Sequence, residues 1–125
     1  MARLQAQAVR RDPRVRRFVR DYLPRLRRRF RPELVLVFGS RARGEALDES
    51  DLDLLIVSER FRGMRFPDRA AAVLIALEVP FAVEVLCYTP EEFRARRRGL
   101  SIVAQAVAEG EVLFQAPPRR AGGAA

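Results

Sequence analysis

The stretch Leu34-Val35-Leu36-Val37-Phe38-Gly39-Ser40, ten further residues, and then Asp51-Leu52-Asp53-Leu54-Leu55-Ile56-Val57 decides how this chain reads. Leu34 to Phe38 is a short run of apolar residues closed by a glycine, the pattern of a strand buried on both faces. Leu52 to Val57 repeats that pattern and begins inside a cluster of acids. Gly39 lets the backbone turn tightly and approach a ligand, and Ser40 can cap a short helix whose free N–H groups point at an anion. Residues two apart on a strand face the same side, separated by roughly 6.6 Å along the chain, so Asp51 and Asp53 project together.

Outward from this core, the N-terminal flank reads as helix. Asp12-Pro13 is an N-cap followed by a first-turn proline, and Val15, Phe18, Val19, Tyr22 and Leu26 share one helical face across residues 13–30. Pro24 removes a backbone donor inside that pattern, which predicts a kink or break near Leu23, and Pro32 marks the end. On the other flank, Ala-rich Pro67 to Leu77 reads as a buried helix. Phe81 to Tyr88 reads as a third strand interrupted by Glu84. Thr89-Pro90-Glu91-Glu92 is a capping box with proline at the first helical position. Ser101 to Glu109 is a further helix stopped by Gly110, and Glu111 to Phe114 a last short strand. Phe61 to Phe66, with Gly63 between, is a candidate flexible loop at the mouth of the site. One domain over 1–115 and a disordered tail over 116–125 follow, with no internal repeat.

Two carboxylates on one strand suit hard cations. Two Mg²⁺ ions about 4 Å apart serve in-line phosphoryl or nucleotidyl transfer, one activating the attacking oxygen and one steadying the leaving pyrophosphate. A third carboxylate usually completes such a site, and Glu84 is the candidate, since an ionised side chain in a buried strand is costly unless paired or metal-bound. Each element alone has a plainer reading: Gly-Ser as a turn, Asp-x-Asp as solvated acids at a strand start, Glu84 as an edge residue or an arginine's partner. Arg43 is the better candidate for bidentate contact with phosphate; for Arg41, phosphate contact and simple solvation stand even.

The run Gly39-Ser40-Arg41-Ala42-Arg43-Gly44-Glu45, continuing through Ser50-Asp51-Leu52-Asp53-Leu54, closely resembles the signature of the minimal nucleotidyltransferases of the polymerase β-like superfamily. The likeness extends from about Val15 to Phe114. It implies an α/β fold of the α+β type, a small mixed sheet with helices mainly on one face and the acids at strand ends on the other. It implies phosphate contacts from Gly39 and Ser40, with Arg43 beside them, and Mg²⁺ held by Asp51, Asp53 and Glu84, with ATP as donor. Glu84 departs from the family's more frequent Asp. Larger members add a domain for the acceptor, for which 125 residues leave no room, so the acceptor surface must come from self-association or a separate protein. Free-standing members typically pair, as antitoxins, with a helical HEPN-type toxin. The resemblance thus implies AMP transfer to a hydroxyl of such a partner; the alternatives are a non-catalytic module that neutralises a partner by covering it, and an RNA-modifying or RNA-binding protein.

Charge bears on the last alternative. The chain carries 24 basic residues, all Arg, against 16 acids, a net charge of +8. Residues 1–32 hold 12 Arg against Asp12 and Asp21 for a net +10, and the remainder is net −2. Exclusive use of Arg, with no Asn and no Trp, reads first as compositional bias. Only Phe30 interleaves the cluster Arg25, Arg27, Arg28, Arg29 and Arg31, so that cluster lacks the aromatic platforms of single-strand binding, and a solvated face is the favoured reading there. The arginines at 94, 96, 97 and 98 complement a helix C-terminus. Cys87 has no second cysteine and the chain has no His, which excludes an internal disulfide and a Cys/His zinc site. Those features and the absence of a long apolar run point to a cytoplasmic protein without a membrane segment or signal peptide.

Overall fold

The computed structural model describes residues 10–117. The expected tail therefore lies outside the described residues beyond Pro117, as do residues 1–9, where no signal peptide is expected. Two helices, α1 (Pro13–Asp21) and α2 (Leu23–Phe30), lead into β1 (Leu34–Phe38), followed by the single-turn α3 (Ser40–Arg43) and β2 (Leu52–Val57). Then come a 3₁₀ turn (Glu59–Phe61), α4 (Phe66–Leu77), β3 (Val83–Tyr88), α5 (Pro90–Arg96), α6 (Ile102–Glu109) and β4 (Glu111–Gln115).

Asp12 caps α1, its carboxylate accepting from the amides of Arg14 and Val15 at 2.9 and 3.2 Å. The helix breaks at Tyr22, where Pro24 enters the next first turn and so costs no interior hydrogen bond. The four strands lie in the order β3-β2-β1-β4, β1 antiparallel to both β2 and β4, and β2 parallel to β3. The parallel pair needs a crossover, which α4 supplies.

Alternation along the strands splits the core in two. Val35, Val37, Leu52, Leu54, Ile56, Val85 and Cys87 face a large cluster with Val15, Phe18 and Leu26 of α1–α2 and Val73 and Leu77 of α4. Leu36, Leu55, Val57 and Tyr88 face a smaller one with Phe93 of α5 and Val103 and Ala106 of α6. The mixed sheet with helices mainly on one face is thus the fold observed, with α5 and α6 covering part of the second face.

Three local expectations are corrected. The Ala-rich helix α4 is only half-buried: Leu74 and Ile75 are exposed, because the helix covers the sheet with one face only. The third strand begins at Val83 rather than Phe81. The stretch after β2 is not a loop at the mouth of the site: Phe61 is fully buried against Phe30, at the end of β2 remote from the acids. No helix among the described residues is long and apolar enough to cross a membrane.

Candidate active site

At one end of the sheet β1 finishes while β2 and β3 begin. Phe38 pairs with Asp53, and Asp53 pairs in turn with Glu84 in the parallel register. Partners in register on strands about 4.8 Å apart share a face, so Asp53 and Glu84 project together on the second face, beyond the part covered by α5 and α6. Asp51, two residues before Asp53, has the same parity and is exposed.

Gly39 holds a positive φ of 74°, a region costly for residues with a Cβ. Its close neighbour gives a second reason for glycine: a Cβ here would collide with Oδ2 of Asp53 and lie 3.2 Å from its Cγ. The Gly-Ser loop thus crosses directly over the carboxylate. Beyond it, α3 closes on the Gly39 carbonyl, which accepts from the amides of Ala42 and Arg43, both at 3.1 Å. Ser40, the first residue of α3, is half-buried.

Burial pushes the Asp53 carboxyl above its ordinary value, and the negative charges of Glu84 and Asp51 push it further the same way. The positive charge of Arg43 opposes them. Three acids so placed repel one another unless a cation joins them. An all-carboxylate set suits a hard ion such as Mg²⁺, which keeps several of its waters and asks the protein for only one or two carboxylates. The donors therefore fit that ion in kind. They are neighbours rather than a closed cage: among the described residues no group of three acidic side chains is drawn to metal-ligating distance. The premise that Glu84 is an acid inside a buried strand is corrected as well. It sits exposed near the start of edge strand β3, and its link to the site is the register with Asp53.

The two loop arginines take separate roles. Arg43 is accessible, with 42% of its side chain exposed, and lies between Glu45 at 2.8 Å and Glu109 of α6 at 3.2 Å. Arg41 does not face solvent; its guanidinium is turned inward onto protein partners. It is buried, its guanidinium bonding both carboxylate oxygens of Asp12 at 2.9 Å and the carbonyls of Leu47, Asp48 and Ser50 at 3.1, 3.0 and 2.9 Å. One side chain so ties the loop leading to Asp51 onto the cap of α1. Sequence reading missed Arg41's role, and Glu109's, because both depend on partners 29 and 66 residues away.

A Gly-Ser turn thus lies over paired strand carboxylates at the open end of a mixed sheet. Residues 19–111 match the nucleotidyltransferase domain, and the chain belongs to that family. Within it the chain is similar to a Haemophilus influenzae protein described as "Probable protein adenylyltransferase MntA", at 37% identity over 73 residues. That match covers 57% of this chain and spans 64% of the relative's length. Among solved structures, a toxin-antitoxin with AMP-PNP is similar at 21% identity and a TM-score of 0.49, over 75% of this chain and 70% of that one. A mutant of the toxin-antitoxin MntA-HpeT is similar at 17% identity and a TM-score of 0.44, over 82% and 72%.

Proposed function

We propose that this protein transfers AMP from ATP, with Mg²⁺, to a hydroxyl of a partner protein, and that the partner is a helical HEPN-type toxin that the modification neutralises. The observation that carries the reading is the placement of the half-buried Asp53 carboxylate, under Gly39 and in register with Glu84. The protein acceptor is supported by the likeness to a probable protein adenylyltransferase.

The acceptor oxygen attacks the α-phosphorus of ATP. A new P–O bond forms, the bond to the bridging oxygen breaks, and pyrophosphate leaves with that electron pair. In this reading Gly39 and Ser40 seat the phosphates, because the glycine backbone admits close approach, and Arg43 contacts phosphate oxygens from the rim. Asp51 and Asp53 hold the cations, and Glu84 takes the hydroxyl proton. Bound Mg²⁺ would neutralise charge developing on the attacking and leaving oxygens.

Titration calorimetry of ATP into the protein with Mg²⁺, beside Asp53→Asn, tests the donor site without the acceptor. Mg²⁺-dependent binding that weakens at least roughly tenfold in the variant, about 1.4 kcal/mol, is expected. Binding by neither protein would favour the module that neutralises a partner by covering it.

A further inference from the structure

The arginines of this chain fall into two sets. Arg17, Arg20, Arg41, Arg43, Arg62 and Arg69 each face a carboxylate, and Arg25 donates to the carbonyls of Ala76 and Leu77 at the end of α4. Among the described residues, no carboxylate stands within ion-pair distance of Arg27, Arg28, Arg31, Arg94 or Arg97; the same holds for others, among them Arg14, Arg16, Arg29, Arg60, Arg65 and Arg98, which line neither groove described below. What sets the five apart is that, though distant in sequence, they line one place.

That place is the end of the sheet opposite the acids. A groove of about 710 Å³ runs between Arg31, which precedes β1, and Arg94 and Arg97 of the α5 region. A second, of about 730 Å³, adjoins it along Arg27 and Arg28 of α2, the two sharing Arg31, Pro32 and Ala116. Among the described residues, Glu33 is the one acid lining either groove. Each has the size that takes one small ligand, so the pair takes a strand of several units rather than a single anion.

One ring joins the basic walls. The Arg27 guanidinium lies 4.2 Å from the ring centre of half-buried Phe114, which lines the second groove, while Phe93 at the first is buried in the core beneath Arg97, 5.4 Å from its ring centre. β4 thus supplies an aromatic partner beside the arginines of α2. Guanidinium planes and aromatic rings are surfaces on which bases stack, while paired rows of arginine follow a phosphate backbone. An acidic polypeptide would use the charges and leave the ring idle.

We propose that this twin groove binds the backbone and bases of a single-stranded nucleic acid, independently of the carboxylate site. Fluorescence anisotropy of labelled oligonucleotides of about 12 nucleotides, RNA and the DNA of the same sequence, tests this on the full chain between about 50 and 200 mM salt. Both are expected to bind, since neither stacking nor phosphate contact requires the 2′-hydroxyl. Each neutralised phosphate contributes roughly 0.7 to the slope of log affinity against log salt. The exposed triple variant Arg28→Gln, Arg31→Gln, Arg94→Gln is expected to lower that slope by about 2 and to weaken binding at least tenfold at the lowest salt. Arg62→Gln, which removes a charge paired with Glu59 and Glu91, is expected to change affinity less than about twofold. The proposal is overturned by absence of binding at about 50 mM salt, or by a triple variant that binds like the parent. It is equally overturned if a glutamate peptide of matching charge binds as tightly as the oligonucleotides, which would make the occupant an acidic protein segment.

Discussion

The two ends of the four-stranded sheet use charge in opposite ways. At the acid end the arginines are committed: Arg41 is buried in a lattice of carbonyls with Asp12, and Arg43 is held by Glu45 and Glu109. There it is Asp51, Asp53 and Glu84 that stand without an arginine partner among the described residues. At the other end the arginines of α2 and the α5 region stand without a carboxylate, and the acids are few. In a chain whose every base is arginine, counting arginines locates nothing. Unpaired charges become informative where they converge, as Arg27, Arg28, Arg31, Arg94 and Arg97 do on the twin groove.

The largest effect that would break this contrast is expected at Arg41. Arg41→Gln removes the charge facing Asp12 and leaves three carbonyls short of a donor, and breaking a buried pair of this kind costs about 3–5 kcal/mol. Chemical denaturation is expected to show that loss, and calorimetry to show weaker Mg²⁺-ATP binding, because the loop leading to Asp51 loses its tether. Undiminished stability would mean that Arg41 belongs with the dispensable surface arginines.

That residue also marks how far sequence carries. The strands, the helix break before Pro24, the Thr89 capping box and the Gly-Ser to Asp-x-Asp spacing were legible because each is encoded in neighbouring residues and in burial with a period of two or 3.6. Arg41's clamp, Glu109's contact with Arg43 and the joining of Arg31 to Arg94 and Arg97 were not. They arise only when β1, α5 and α6 are brought together, and a uniform use of arginine removes any compositional hint. Glu84 was legible as an acid out of place, but its reason, register with Asp53 at an exposed strand start, belongs to the sheet.

A middle-sized effect is expected at Gly39. Gly39→Ala places a Cβ against the Asp53 carboxylate and forces an L side chain to hold φ near 74° with ψ near −157°, a backbone cost of roughly 1–3 kcal/mol. A melting temperature lower by several degrees, together with lost Mg²⁺-ATP binding, is the expected pair of readings. Oligonucleotide binding at the far groove is expected to survive in the folded variant. If it fell in step with ATP binding, the two ends would not be independent.

The smallest effect sharpens the contrast most. Burial and the charges of Glu84 and Asp51 raise the Asp53 carboxyl above its ordinary 3.8, so over the interval between that value and the raised one the folded chain holds more protons than the unfolded chain. Stability then falls as pH rises through this interval, and at neutral pH the ionised carboxylate is a net cost to the fold. Asp53→Asn keeps the shape and removes the charge. It is therefore expected to melt slightly above the parent at pH 7 in the absence of divalent ions, with the advantage shrinking as the pH falls through that interval and gone below about 4. Mg²⁺ is expected to raise the parent's melting temperature and not the variant's, since only the parent has the full charge for the ion to offset. A variant less stable than the parent at neutral pH would give the opposite reading: Asp53 would then be held by its contacts under Gly39, and the acid end would be scaffold, as Arg41 is, rather than a charge kept waiting for a cation.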